Sequence, residues 1–224
     1  MCFSASASFG AGILLTGIGA GSIKQVRQPA ELFFASIPLI FGVQQLSEGF
    51  VWLSLSRPGY VPLQHVATFL FLFFAQVVWP VWVPLSIMLL KKKERRKLSQ
   101  KLLTATGALV SAYLAYCLFR FHVEAKIIGY HISYEQDYPE ALATYGGLLY
   151  IIATIAPPFF SDIRRMWMLG AAILISYIIT ELFYTDYIVS VWCFFASVIS
   201  IAVWVIMYKL KKTNAASETH MPLS

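Results

Sequence analysis

From Leu32 to Leu55 the chain carries a single charged side chain, Glu48, preceded by two amides, Gln44 and Gln45. A helix of this length reaches across the hydrocarbon core of a bilayer. Amides and acids are costly in hydrocarbon and persist only where they face protein or water. On a helix Gln44, Glu48 and Trp52 lie one turn apart on one face, with Gln45 beside them. That face must point inward, so this segment requires other spans packed around it.

The rest of the chain supplies them. Of its 224 residues 58% are hydrophobic and 12% charged, against about a quarter charged in soluble domains. The apolar residues fall in seven long runs, at about 5–23, 32–56, 64–90, 102–119, 141–160, 166–183 and 187–208. The expected fold is all-α: one seven-transmembrane-helix bundle over 1–212, followed by a disordered polar tail, 213–224. No polar stretch is long enough for a separate soluble domain. The first run lacks a basic leader and is expected to be a retained first span rather than a cleaved signal.

The net charge of +6 does not point to nucleic acid, because most of the basic residues sit in short links between apolar runs. With the N-terminus outside, 14 of the 17 Lys and Arg residues fall on the inner side, and Arg57, Arg120 and Lys126 on the outer. That asymmetry sets the N-terminus outside and the C-terminus in the cytoplasm. The cluster from Lys91 to Lys101 is its strongest element and a candidate contact for anionic lipids.

Local signals mark packing and bends. The first span is rich in small residues, with Gly17 and Gly21, and Ser8 and Gly12, spaced for close helix contact. Pro29 opens the second segment, with Glu31 in its first turn. Trp79-Pro80-Val81-Trp82-Val83-Pro84 predicts a kink in the third. The mixed link 121–140 has room for a short amphipathic or hairpin piece around Lys126 to Tyr134. In the last span Ser190, Cys193, Ser197, Ser200 and Trp204 form one stripe, expected to face inward.

The orientation brings the reactive groups toward the outer side: Glu48, Glu181 and Cys193 within spans, and Cys2, Ser4, His65, Cys117 and Arg120 near span ends. Glu48 reads either as a neutral acid hydrogen-bonded inside the bundle or as a ligand-, proton- or cation-binding carboxylate. In the second case Arg120 and His65 are its candidate partners. A metal site would draw on Cys2, His65, Glu48, Cys193 or Glu181, although no close ligand spacing is present. With Met1 removed, Cys2 would offer an adjacent amine and thiol. Three cysteines allow one disulfide, and sequence does not choose the pairing.

Met1-Cys2-Phe3-Ser4-Ala5, Gly42-Val43-Gln44-Gln45 with Glu48-Gly49 and Trp52, the Trp79-to-Pro84 motif and Ser190-Val191-Trp192-Cys193-Phe194-Phe195-Ala196 together resemble a family of short bacterial multi-pass membrane proteins. The resemblance implies a bacterial inner-membrane protein and carries no established activity. Retinal-binding seven-span proteins need a lysine in the last span, and 187–208 has none. Ceramidase-type zinc hydrolases need clustered histidines, and His65, His122, His131 and His220 are scattered.

The sequence therefore points first to a binding, sensing or transport protein for a small molecule or ion. Its outward-facing polar pocket would be lined by Gln44, Gln45, Glu48, Trp52, Glu181 and Cys193, with Cys2, His65 and Tyr113 near. An intramembrane metal- or cysteine-dependent hydrolase and a structural or accessory subunit are the alternatives. Cofactor, metal, oligomeric state and whether the protein is an enzyme stay undetermined.

Overall fold

The computed structural model describes residues 4–219 except 57, 58, 60, 92, 93, 95, 164 and 165, with backbone alone at 140–145, 198 and 213–219. Cys2, part of the expected reactive set, lies outside the described residues.

Small residues set the first helix pair. Helix α1 (Ala5–Ile23) starts where the Ser4 hydroxyl accepts the Ala7 N–H at 3.3 Å, a serine N-cap. It packs on α3 (Ile37–Leu55) backbone to backbone. A Cβ at Gly12 would lie 3.1 Å from the Gly42 carbonyl oxygen, and one at Gly19 would lie 2.6 Å from the Leu39 nitrogen. The expected Gly17–Gly21 face is corrected here: Gly17 has open space around it and Gly21 rests against Trp204. The buried face reads Ser8, Gly12, Leu15, Gly19 and Ser22. Between the helices, a turn at Pro29–Glu31 leads into short α2 (Leu32–Ala35). The Glu31 carboxylate accepts the N–H groups of Arg27 at 2.8 Å and Gln28 at 3.3 Å.

The third column is α4 (Val61–Leu72), a π-helical turn (Phe73–Val78) and α5 (Trp79–Leu89). Its irregularity follows from its prolines. In the π register the N–H that would serve the Ala75 carbonyl belongs to position 80, a proline with no N–H. The Tyr150 hydroxyl donates to that carbonyl instead, at 2.5 Å. Pro84 likewise leaves the Pro80 carbonyl without its helical donor. Helix α6 (Leu98–Arg120) seats Gly107 on it, where a Cβ would stand 1.9 Å from the oxygen.

After α6 the chain forms a β-hairpin, β1 (Val123–Ile128) and β2 (His131–Gln136), in the link where a short amphipathic or hairpin piece was expected. Its two-residue turn puts Gly129 at φ 63, the left-handed conformation such turns demand. Ala125, Ile132 and Tyr134 face the helices, with Tyr134 stacked on Phe71 at 4.8 Å between centroids. On the other face Glu124 and Glu135 stand opposite each other. Lys126 bridges both, at 3.3 and 2.6 Å, offsetting their repulsion.

Helices α7 (Glu140–Ile155), α8 (Met166–Phe183), α9 (Ile188–Ile199) and α10 (Ile201–Thr219) complete the chain. The last expected span is thus broken at Ser200, and its helix continues to Thr219, into the stretch expected to be a tail. Among the described residues six helical segments are long and apolar enough to cross a membrane: Ala5–Ile23, Pro29–Leu55, Val61–Leu89, Leu98–Arg120, Met166–Phe183 and Thr185–Lys212. The apolar part of α7, Gly146–Ile155, is shorter. Helix α7 leaves the hairpin end and its following turn reaches the opposite end, where the Phe160 carbonyl accepts from Gln100 at 3.2 Å. There Lys91 and Lys97 both bond Asp162. One apolar cluster fills that half, around Phe34, Phe41, Trp79, Ile87, Met166 and Met207. Val51, Trp52 and Ala67 pack against Ala125 and Ile132 on the inner face of the hairpin.

Candidate functional site

The polar face of α3 is fully enclosed. Gln44, Gln45 and Glu48 each expose 0% of their surface. Trp79 Nε1 donates to Gln44 Oε1 at 2.6 Å, and Ser190 Oγ donates to Glu48 Oε1 at 2.6 Å. Gln45 Nε2 lies 3.4 Å from Glu48 Oε2. The partners come from α5 and α9, so two of the sequence motifs meet at this one cluster. Gln44 also lies against the Cys193 thiol. Ser190, Cys193, Ser197 and Ser200 are all buried, as their stripe predicts, whereas Trp204 is 40% exposed.

Cys193 separates this cluster from a cavity of about 280 Å³. The cavity lies between the π turn, α6, α7, α8 and α9 and is walled by Tyr113, Tyr138, Tyr150, Tyr177 and Trp192, with Gln76 and Gln136. Gln76 sits on the π turn. Its Nε2 donates to Gln136 Oε1 at 2.8 Å, and Tyr138 donates to its Oε1 at 3.1 Å. These two bonds tie the end of the hairpin and the start of the α7 link to the middle of the third column. Burial pushes the Tyr138 hydroxyl well above its ordinary pKa, so it stays a neutral donor.

The remaining expected residues are dispersed. Glu181 is exposed on the last turn of α8 and accepts from Tyr177 at 3.1 Å; it touches the cavity only through that tyrosine. Trp52 is buried under the hairpin, and its Nε1 has no hydrogen-bond partner among the described residues. His65 lines a separate open cleft with His122, and Arg120 is exposed. Cys117 and Cys193 are buried free thiols. Among the described residues no three His, Cys, Asp or Glu side chains come close enough to hold a metal ion together.

Sequence reading missed Gln76, Gln136, Tyr138 and Tyr150. Gln76 had a signal: it is an amide in the middle of an apolar span, four residues before Pro80, where helix carbonyls lose their donors. The tyrosines had none, because tyrosine is common at membrane interfaces.

A helical bundle with six segments, among the described residues, long and apolar enough to cross a membrane, a polar cluster sealed inside it and a cavity beside that cluster is compatible with the class of polytopic membrane proteins. Residues 1–219 match the family of unknown function DUF6629, and the chain belongs to that family. No curated protein and no solved structure matches the chain.

Proposed function

We propose that this protein crosses the bacterial inner membrane seven times, N-terminus outside and C-terminus in the cytoplasm. Through an outward-facing pocket beside the Glu48 cluster it binds, and so senses or transports, a small molecule or ion. The orientation is supported by the sequence asymmetry, in which links and tail expected on one side carry 14 of the 17 Lys and Arg residues and those expected on the other carry three. Seven crossings are supported by α7 leading from the hairpin to the Asp162 end. The Lys91–Lys101 stretch then meets the inner leaflet, where anionic headgroups favour it.

The observation that carries the binding reading is the cavity walled by Tyr113, Tyr150, Trp192 and Cys193, with Gln44 and Glu48 directly behind Cys193. In this reading Glu181, through Tyr177, lies at the mouth and Cys193 is the floor. Membrane-purified wild-type protein and a Gly147→Leu variant, whose new side chain enters open space on the cavity wall, are compared by native mass spectrometry. A small molecule retained by the wild type and absent from the variant supports the reading. Equal occupancy, or none in either, removes it.

The complete burial of Glu48 and its bond to Ser190 favour a second reading, in which the cluster only holds α3 against α9 as in an accessory subunit. Glu48→Gln separates the two. A folded variant with unchanged ligand occupancy assigns Glu48 to structure alone.

A further inference from the structure

The chemistry of the cavity wall narrows what it takes, given that the cavity is a ligand site at all. Among its described lining residues there is no Asp, Glu, Lys, Arg or His. An ion entering would give up its hydration with no opposite charge on the wall to replace it. The aromatic rings are a weak substitute for a carboxylate, because they pair with one another. Trp192 meets Tyr150 at 70° and Tyr177 at 74°, each edge to face. Cation binding uses open ring faces.

The donors on the wall divide into two sets. The hydroxyl hydrogens of Tyr138, Tyr150 and Tyr177 are committed to Gln76, the Ala75 carbonyl and Glu181. Trp192 Nε1 has no partner among the described residues, although Trp192 is only 8% exposed. The Tyr113 hydroxyl, beside the Cys117 thiol, reaches no oxygen or nitrogen of the described residues. Buried donors left unsatisfied are costly, and these two belong to side chains on the same wall. We infer that the cavity binds an uncharged, largely apolar molecule that presents a hydrogen-bond-accepting oxygen of the carbonyl type to Trp192 and Tyr113. Its volume of about 280 Å³ suits a substituted ring, since a cavity of about 150 Å³ admits benzene. Such a molecule can also reach the site through the lipid, which an ion cannot.

Four probes with one ring and different heads test this: acetophenone, cumene, phenyltrimethylammonium and benzoate. Binding to the full-length protein in nanodiscs is measured by saturation-transfer NMR, with the Gly147→Leu variant as the blank for partition into lipid. Acetophenone should bind about 25-fold more tightly than cumene, the worth of two hydrogen bonds. That preference should fall to about fivefold in Trp192→Phe and in Tyr113→Phe. The second variant stands in if the first does not fold. Equal affinity for cumene, or tighter binding of the cation or the anion, overturns the inference and leaves the cavity as a ligand site. No probe binding wild type above the Gly147→Leu blank overturns both.

Discussion

Gly107→Ala adds one methyl group where α6 crosses α5, and its cost follows from the geometry. The new Cβ would lie 1.9 Å from the Pro80 carbonyl oxygen and 2.8 Å from its carbon. Both obstacles are backbone, so no side-chain rotation relieves them, and the helices must separate by more than about 1 Å. Overpacking of this kind costs about 1–3 kcal/mol, and the upper end applies because the obstacle is rigid. Alanine's better helix propensity returns about 1 kcal/mol. The net loss is about 2 kcal/mol, or about 5 °C in melting temperature for a chain of this size. Movement of α6 also shifts Tyr113, so ligand occupancy of the cavity should fall with stability. The assay is thermal unfolding in detergent beside Gly17→Ala, whose Cβ meets nothing within 4 Å; that control should match or slightly exceed wild type. If Gly107→Ala melts within about 1 °C of wild type, the α5–α6 contact is not as described.

Three further variants probe other parts of the structure. Tyr150→Phe should cost about 1–3 kcal/mol by leaving the Ala75 carbonyl without a donor. Adding Pro80→Ala restores an N–H at position 80, so the double variant should recover part of that loss in a thermal double-mutant cycle; simple additivity would reject the proposed compensation. Glu48→Leu leaves Ser190 and Gln45 without the carboxyl that they bond and should lose about 1–3 kcal/mol by thermal unfolding, whereas Glu48→Gln, which keeps an acceptor, should lose less. At the hairpin tip, His131 stacks on Tyr187 at 4.6 Å, and burial lowers its pKa below 6.5. A lowered histidine pKa means that its contribution is complete above the unfolded value and declines as pH falls through the folded one. Protease cleavage within the hairpin should therefore accelerate on acidification below about pH 6.5, and His131→Phe should flatten that dependence.

The helical columns could be read from sequence because hydrocarbon solvation acts on whole segments: a run such as 166–183 declares itself whatever its neighbours are. The inward direction of Gln44, Gln45 and Glu48 followed from the same penalty, and so did the buried Ser190–Cys193–Ser197 stripe. Partner choice was not legible in this way. Gln76 meets Gln136 and Tyr138, and Tyr150 meets Ala75, across separations of 60 to 75 residues. Only the three-dimensional register of the π turn fixes those encounters. Glu181 and Glu48 were grouped by depth, but depth leaves rotation about the helix axis free, and α8 turns Glu181 outward. The same freedom explains why Gly12 and Gly19, not Gly17 and Gly21, carry the α1–α3 contact.

Accessibility of position 147 tests the outward-facing cavity most directly. In a chain with Cys2, Cys117 and Cys193 replaced by serine, Gly147→Cys is treated with a membrane-impermeant thiol reagent in sealed vesicles of either orientation. The account predicts labelling from the extracellular side, slowed by acetophenone. Labelling only from the cytoplasmic side, or labelling that acetophenone leaves unchanged, would contradict it.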